Sequence, residues 1–193
     1  KWVGEVSRGS LADNRAASAA TAAAVDRLNR LPVPTLALVQ GGCFGGGTGI
    51  IAACDIVIAA DDAQFSIAEV RWGLTAAIII PQLADAISVR QLRRYALTGE
   101  RFGAEEALRI GLVHTVVPAP ELARAGEQML AHLTANGPLA LAETKALVLS
   151  RAWGELTPKS LAELVEVHAV KRRSAEAAEG LASFVEKRPA RWS

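Results

Sequence analysis

Pro34-Thr35-Leu36-Ala37-Leu38-Val39-Gln40-Gly41-Gly42-Cys43-Phe44-Gly45-Gly46-Gly47-Thr48-Gly49-Ile50-Ile51-Ala52-Ala53-Cys54-Asp55 changes character twice within a short span. Thr35 to Val39 is a nearly continuous apolar run, the pattern of a short strand buried on both faces. Gly41 to Gly47 is neither strand nor helix on this reading, because so many glycines signal a tight turn with close backbone approach. Thr48 to Cys54 resumes as a short apolar helix, Asp55 to Ala60 as a second buried strand and Ala63 to Ile67 as a third. Upstream, Asp13 to Leu31 is alanine-rich and free of Gly and Pro, a helix with Asp13 or Asn14 as its cap, stopped by Pro32 and Pro34. Helix, strand, glycine turn, helix, strand is the rhythm of an α/β layer.

Beyond Ala77 the periodicity is helical, over Ile78 to Ile87, Val89 to Leu97, Ala104 to Ile110, Glu121 to Asn136 and Leu139 to Leu149. Gly111 closes the third of these, and Leu112 to Val117 is a further strand ended by Pro118 and Pro120. Pro158 to Arg173 and Ala175 to Lys187 form two last helices with charged outer faces. Neither a repeat nor a low-complexity linker divides the chain, so residues 1–120 are expected to form an α/β core and 121–193 a helical region of the same domain.

Composition narrows the function. With 21 basic against 20 acidic side chains, no long-range field draws in nucleic acid or an anionic membrane, and neither is expected as a partner. The apolar runs fall short of the ~20 residues of a membrane span. Cys43 and Cys54 lack the paired spacing of a zinc site or a secreted disulfide framework, which favours a reducing, cytoplasmic setting. His114, His132 and His168 lie far apart, so no metal site is expected. Gly45-Gly46-Gly47-Thr48-Gly49 lacks the Lys of a P-loop, and no Gly-x-Ser-x-Gly elbow occurs.

Two features can carry chemistry. The glycine run feeds a helix whose first N–H groups and dipole favour a negative oxygen, the makings of an oxyanion hole; a plain packing turn fits the same residues equally well. In Ala63-Gln64-Phe65-Ser66-Ile67-Ala68-Glu69-Val70-Arg71-Trp72-Gly73-Leu74 one carboxylate sits in an apolar and aromatic stretch. Glu69 is either a proton-transfer group or half of a surface ion pair with Arg71 or another cation.

These features resemble the crotonase superfamily, the enoyl-coenzyme A hydratase and isomerase group. The matching blocks are Pro34 to Gly41, Phe44-Gly45-Gly46-Gly47, Ala53-Cys54-Asp55, Ala63-Gln64-Phe65, and Glu69 followed by Gly73. Leu97-Thr98-Gly99-Glu100-Arg101, Ala104-Glu105-Glu106-Ala107, Gly111-Leu112-Val113 and Glu179 to Arg188 continue in family order. Glu69 to Ala77 together with Arg93 to Phe102 is similar to hydratases of branched glutaconyl-type thioesters.

The resemblance implies a ββα spiral with a helical C-terminal trimerisation region. It implies an acyl-coenzyme A thioester substrate, no separate cofactor, a role in fatty-acid or branched-chain catabolism, and a homotrimer or a hexamer made of two trimers. By it, Gly46 supplies one oxyanion N–H and Glu69 the catalytic carboxylate, while Phe44, Gly45, Gly49, Ala68 and Trp72 contact the substrate and Phe184 and Lys187 the coenzyme. Trp72 has a core reading beside the pocket one, and Lys187 has that of a solvated helix end. Cys43, Cys54, Asp55 and His114 are assigned to structure. Where two-glutamate hydratases carry their other acid, this chain has Gly49, which leaves proton transfer to Glu69 and is expected to open space beside the acyl chain. Lys1-Trp2 is similar to the tail of the family segment that donates the second oxyanion N–H, so the front of the fold is expected to be absent here. Syn hydration of a 2-enoyl thioester is the leading reading; double-bond isomerisation and a non-catalytic coenzyme A-binding or oligomer-forming role are the alternatives.

Overall fold

The computed structural model describes residues 10–151 and 157–192. Their internal contacts divide the chain into two compact units, one of residues 1–31 and 35–126, the other of 32–34 and 127–193.

The first unit opens with helix α1 (Leu11–Asn29). Its N-cap is Ser10, not Asp13 or Asn14: Ser10 Oγ accepts from Asp13 N–H at 3.2 Å while Asp13 Oδ2 accepts from Ser10 N–H at 3.1 Å, a reciprocal capping box. Strand β1 (Leu36–Val39) follows, then β2 (Gly42–Phe44), α2 (Gly46–Ala52), β3 (Ile56–Ala60) and β4 (Gln64–Ser66). Gly42 to Phe44 is thus a strand, although its glycines suggest only a turn. Gly42, Cys43 and Phe44 pair in parallel with Gln64, Phe65 and Ser66, and Cys43 is buried.

Chain order explains the topology. β1 and β3 pair in parallel from Leu36↔Ile56 to Val39↔Ala59, and each is followed at once by a second strand, β2 or β4, that joins the other sheet. One sheet runs β1-β3-β6 and the other β2-β4-β5, with β5 Phe102–Gly103 and β6 Thr115–Val117. A strand in each sheet and then a helix is the repeating step of a ββα coil. β6 is shorter than the apolar run from Leu112, because Leu112 N–H bonds back to Ala107 O at 2.9 Å and pairing begins later, at Ile58↔Thr115.

Helix α3 (Ile80–Thr98) merges the two helices expected there, and the break between them survives as a kink at Ser88, whose φ of 65° and ψ of 153° are non-helical. Helix α4 (Ala104–Ile110) coincides with expectation and ends at Gly111 in the left-handed conformation. Phe65, Tyr95 and Phe102 stack in the core, with ring centroids 4.2 Å apart for Tyr95–Phe102 and 5.7 Å for Phe65–Phe102. Asp55 accepts from Thr35 N–H at 2.7 Å and Thr35 Oγ1 at 2.8 Å, and His114 Nδ1 accepts from Val57 N–H at 3.0 Å, so both serve the fold. Burial pushes the Cys43 thiol up to about 11.

Helix α5 (Leu122–Thr134) carries the chain into the second unit, where α6 (Pro138–Arg151), α7 (Pro158–Lys171) and α8 (Ala175–Glu186) follow. Glu176 links α8 to the start of α6, accepting from Leu139 N–H at 2.7 Å and Ala140 N–H at 2.8 Å where the helix dipole favours an anion. The Lys171 ammonium, 2.8 Å away, is the main cause of its lowered pKa. Arg188 forks onto Glu179 at 2.7 and 3.1 Å.

Candidate functional site

The site grows from the end of β2. Gly45 N–H donates to Ser66 O at 2.8 Å and so extends the β2–β4 pairing by one residue. The chain then turns sharply, with Gly45 at φ 52° and ψ −122°, a conformation that residues with a side chain rarely adopt. Thr48, fully buried, fixes the turn by donating both its N–H (2.9 Å) and its hydroxyl (2.6 Å) to Gly45 O. Gly46 and Gly47 therefore occupy the first two positions of α2, where backbone N–H groups have no acceptor within the helix.

The glycines differ in what surrounds them. A Cβ on Gly46 would meet nothing within 4 Å, whereas one on Gly47 would lie 3.3 Å from Cys43 Sγ and one on Gly49 only 2.0 Å from Ile79 Cγ2. The run is not uniform: Gly46 opens onto free space, while Gly47 and Gly49 pack.

Glu69 opens the 3-10 turn Glu69–Trp72, with Ala68 at its N-cap. Its Oε1 lies 3.0 Å from where a Cβ on Gly45 would stand, so the glycine makes room for the carboxylate. Its Oε2 is buried without a hydrogen-bond partner, a state shared among the described residues only by Gln82 Oε1 on α3. Folded proteins leave few such groups, and a carboxylate oxygen in this condition is prepared to take a proton or a ligand hydrogen. The alternative of an ion pair with Arg71 fails. Arg71 lays its stem against Gly99, within 3.1 Å of the Cβ position there, and makes no ion pair with Glu69. Ser66 Oγ ties the same Gly99 to the strand at 3.0 Å.

Phe44 is half exposed, with the Arg101 guanidinium 5.0 Å from its ring centre. Trp72 is 75% exposed, which removes its core reading. Gly49 requires a correction: it opens no space beside the site, because Ile79, only 4% exposed, fills it. Gly45, Gly46, Ala68 and Glu69 meet in one corner. Phe184, 83% exposed, and Lys187, the left-handed C-cap of α8, belong to the second unit. Lys1 and Trp2 lie outside the described residues. Among the described residues, no His, Cys, Asp and Glu cluster suits a metal ion. Also among them, no helix is long and apolar enough to cross a membrane. Ser66 and Ile79 are the members that sequence reasoning missed, since both act through contacts remote in the chain.

Two sheets threaded by ββα steps, with a glycine turn opening a helix beside an unsatisfied carboxylate, define the crotonase fold class. The enoyl-CoA hydratase/isomerase family profile matches residues 3–193, and the chain belongs to that family. A hydroxycinnamoyl-CoA hydratase-lyase of Pseudomonas fluorescens is 36% identical over 113 residues, 58% of this chain and 41% of that protein. A mitochondrial Delta(3,5)-Delta(2,4)-dienoyl-CoA isomerase of Dictyostelium discoideum is 33% identical over 168 residues, 86% of this chain and 57% of that protein. The chain thus spans about half the length of these curated relatives. The crystal structure of an enoyl-CoA hydratase from Shewanella pealeana superposes with a TM-score of 0.93 at 36% identity, covering 99% of this chain and 71% of that one.

Proposed function

We propose that this chain carries the proton-transfer half of an enoyl-coenzyme A hydratase. The observation that carries the reading is the buried, unpartnered Oε2 of Glu69, whose carboxylate lies against Gly45, one residue before the helix start at Gly46. In hydration, Glu69 takes a proton from water as the hydroxyl adds to Cβ of the 2-enoyl thioester. The thioester oxygen becomes an enolate oxygen held by Gly46 N–H, and Glu69 returns the proton to Cα on the same face. No separate cofactor enters this sequence. Isomerisation is the second reading, favoured by the absence of any carboxylate at Gly49: Glu69 then removes a proton from Cα of a 3-enoyl thioester and returns it to Cγ. A branched acyl chain follows from the resemblance around Glu69 to Ala77. The exposed Leu181, Phe184 and Val185 on α8 support a subunit contact in a homotrimer or a pair of trimers.

Loss of enoyl absorbance with a 2-enoyl thioester, and its gain with a 3-enoyl thioester, tests the assignment. Turnover of the first is expected; turnover of the second alone overturns hydration in favour of isomerisation. A chain that binds the thioesters and converts neither is a binding protein.

A further inference from the structure

Ile79 covers the inner half of the candidate site, and we propose that it determines the reaction by denying that half to a second carboxylate and to water. The inference rests on the acyl-thioester reading above. Gly46 and Gly49 are three residues apart on α2 and share one helix face, a turn apart. At the outer turn Gly46 faces open space; at the inner turn a Cβ on Gly49 would stand 2.0 Å from Ile79 Cγ2 and 2.4 Å from Ile79 Cβ. Ile79 ends the 3-10 turn Ala77–Ile79 that leads directly into α3, and it is 4% exposed. The contact at Gly49 involves its Cβ as well as the end of its side chain, so rotamer change alone does not clear it.

Two chemical consequences follow. A side chain of any size at position 49 requires Ile79 to move, so a carboxylate cannot be added there alone. A water beside Gly49 would meet the Ile79 side chain where a buried water needs polar partners. Water for hydration is then held only from the Glu69 side. Isomerisation needs no water, since the proton leaving Cα is the proton delivered to Cγ. Ile79 thereby sets the relative rates of the two reactions, which run through different anions, a β-hydroxy enolate in hydration and a dienolate in isomerisation.

Ile79→Ala removes the side-chain atoms beyond Cβ from this half, at the loss of melting temperature that a core truncation brings, so it is assayed well below its melting point. Measured side by side with 2-enoyl and 3-enoyl thioesters, its ratio of hydration to isomerisation is expected to rise about tenfold over the wild type. A fall in both rates at constant ratio is what a purely structural role gives, and it overturns the proposal. Gly49→Glu alone is expected to lower the melting temperature sharply, and Gly49→Glu with Ile79→Gly to recover most of that loss and gain a second acidic limb in its pH–rate profile. A Gly49→Glu chain that melts like the wild type shows that Ile79 does not guard the position and also overturns it. A wild-type chain inert on both thioesters overturns the catalytic reading on which this role of Ile79 rests. An active wild type whose product ratio ignores Ile79 overturns only the role of Ile79.

Discussion

Glu69 and Glu106 are the same residue in the same unit, and the fold treats them oppositely. Glu106, on α4, accepts from the Tyr95 hydroxyl through a very short bond, from Arg109 Nε at 2.5 Å and Nη2 at 2.6 Å, and has Arg94 Nη1 at 3.8 Å. Arg109 and Tyr95 hold its carboxyl down at about 2. Tyr95 and Arg94 tie α3 to α4 there, while Arg109 holds the carboxylate from within α4. Glu69 has a buried oxygen with no partner, kept against Gly45 by a turn that is itself tightly fixed. A carboxylate that serves the fold is saturated; one left unsaturated in a rigid corner is available to a substrate.

Exchanging each for its amide breaks the comparison most directly. Glu69→Gln is expected to lower kcat on the order of 10²–10⁴-fold, the usual worth of a general acid–base group. Its melting temperature should stay close to the wild type's, since Glu69 Oε2 makes no hydrogen bond for the exchange to break. A Glu69→Gln chain with normal turnover would reduce Glu69 to structure. Glu106→Gln should show the converse: near-normal turnover of the folded protein and a stability loss of about 1 kcal/mol, because Tyr95 and Arg109 keep only a weaker acceptor. Thermal melts and initial rates on the two variants decide both points.

The glycines beside each arginine and carboxylate sharpen the contrast. Gly45→Ala places a methyl 3.0 Å from Glu69 Oε1 at a φ of 52°, so it strains the backbone and shifts the carboxylate together. Turnover should fall by roughly 10²-fold, the scale of a displacement of about 1 Å in a reacting group. Gly99→Ala meets Arg71 Nε at the same 3.0 Å and a φ of 60°, but what it displaces is the flexible stem of an arginine. It should cost about 1 kcal/mol of stability from the left-handed backbone while turnover changes little. Equal losses of rate in the two variants would mean that Arg71 belongs to the machinery.

The corner was only partly legible in the sequence, for reasons that can be named. Helix ends marked by proline and glycine fell close to expectation because their cause is local: Gly111 ends α4 and Pro138 and Pro158 start α6 and α7. The division between Ile87 and Val89 was visible too, and it became the Ser88 kink. Ser10-x-x-Asp13 carries a capping-box pattern, and it places the helix start three or four residues ahead of a cap at Asp13 or Asn14. Gly42 to Phe44 was hidden because its strand pairing with Gln64 to Ser66 is long-range and glycine hides the apolar alternation. Gly49 and Ile79 were each readable alone, but their contact crosses two strands and two turns, and no local pattern encodes it.

The smallest effect tests saturation itself through pH. Glu106 and Glu179 are both held at about 2, against 4.5 for an ordinary glutamate: Glu106 first by Arg109, Glu179 first by Arg188. A depressed folded-state pKa adds stability that is fully present above about 4.5 and disappears as the pH falls toward about 2. The wild type should therefore lose part of its melting temperature across that window, and Glu106→Gln and Glu179→Gln should each flatten the slope. The two pairs share no residue and lie in different units, so the flattening should be additive in the double variant. Because both pairs are near the surface, high salt should shrink the effect in the wild type and leave the double variant unmoved. A double variant that keeps the full wild-type slope would show that these carboxylates, though paired, do not hold the fold, and the contrast with Glu69 would then rest on burial and not on saturation.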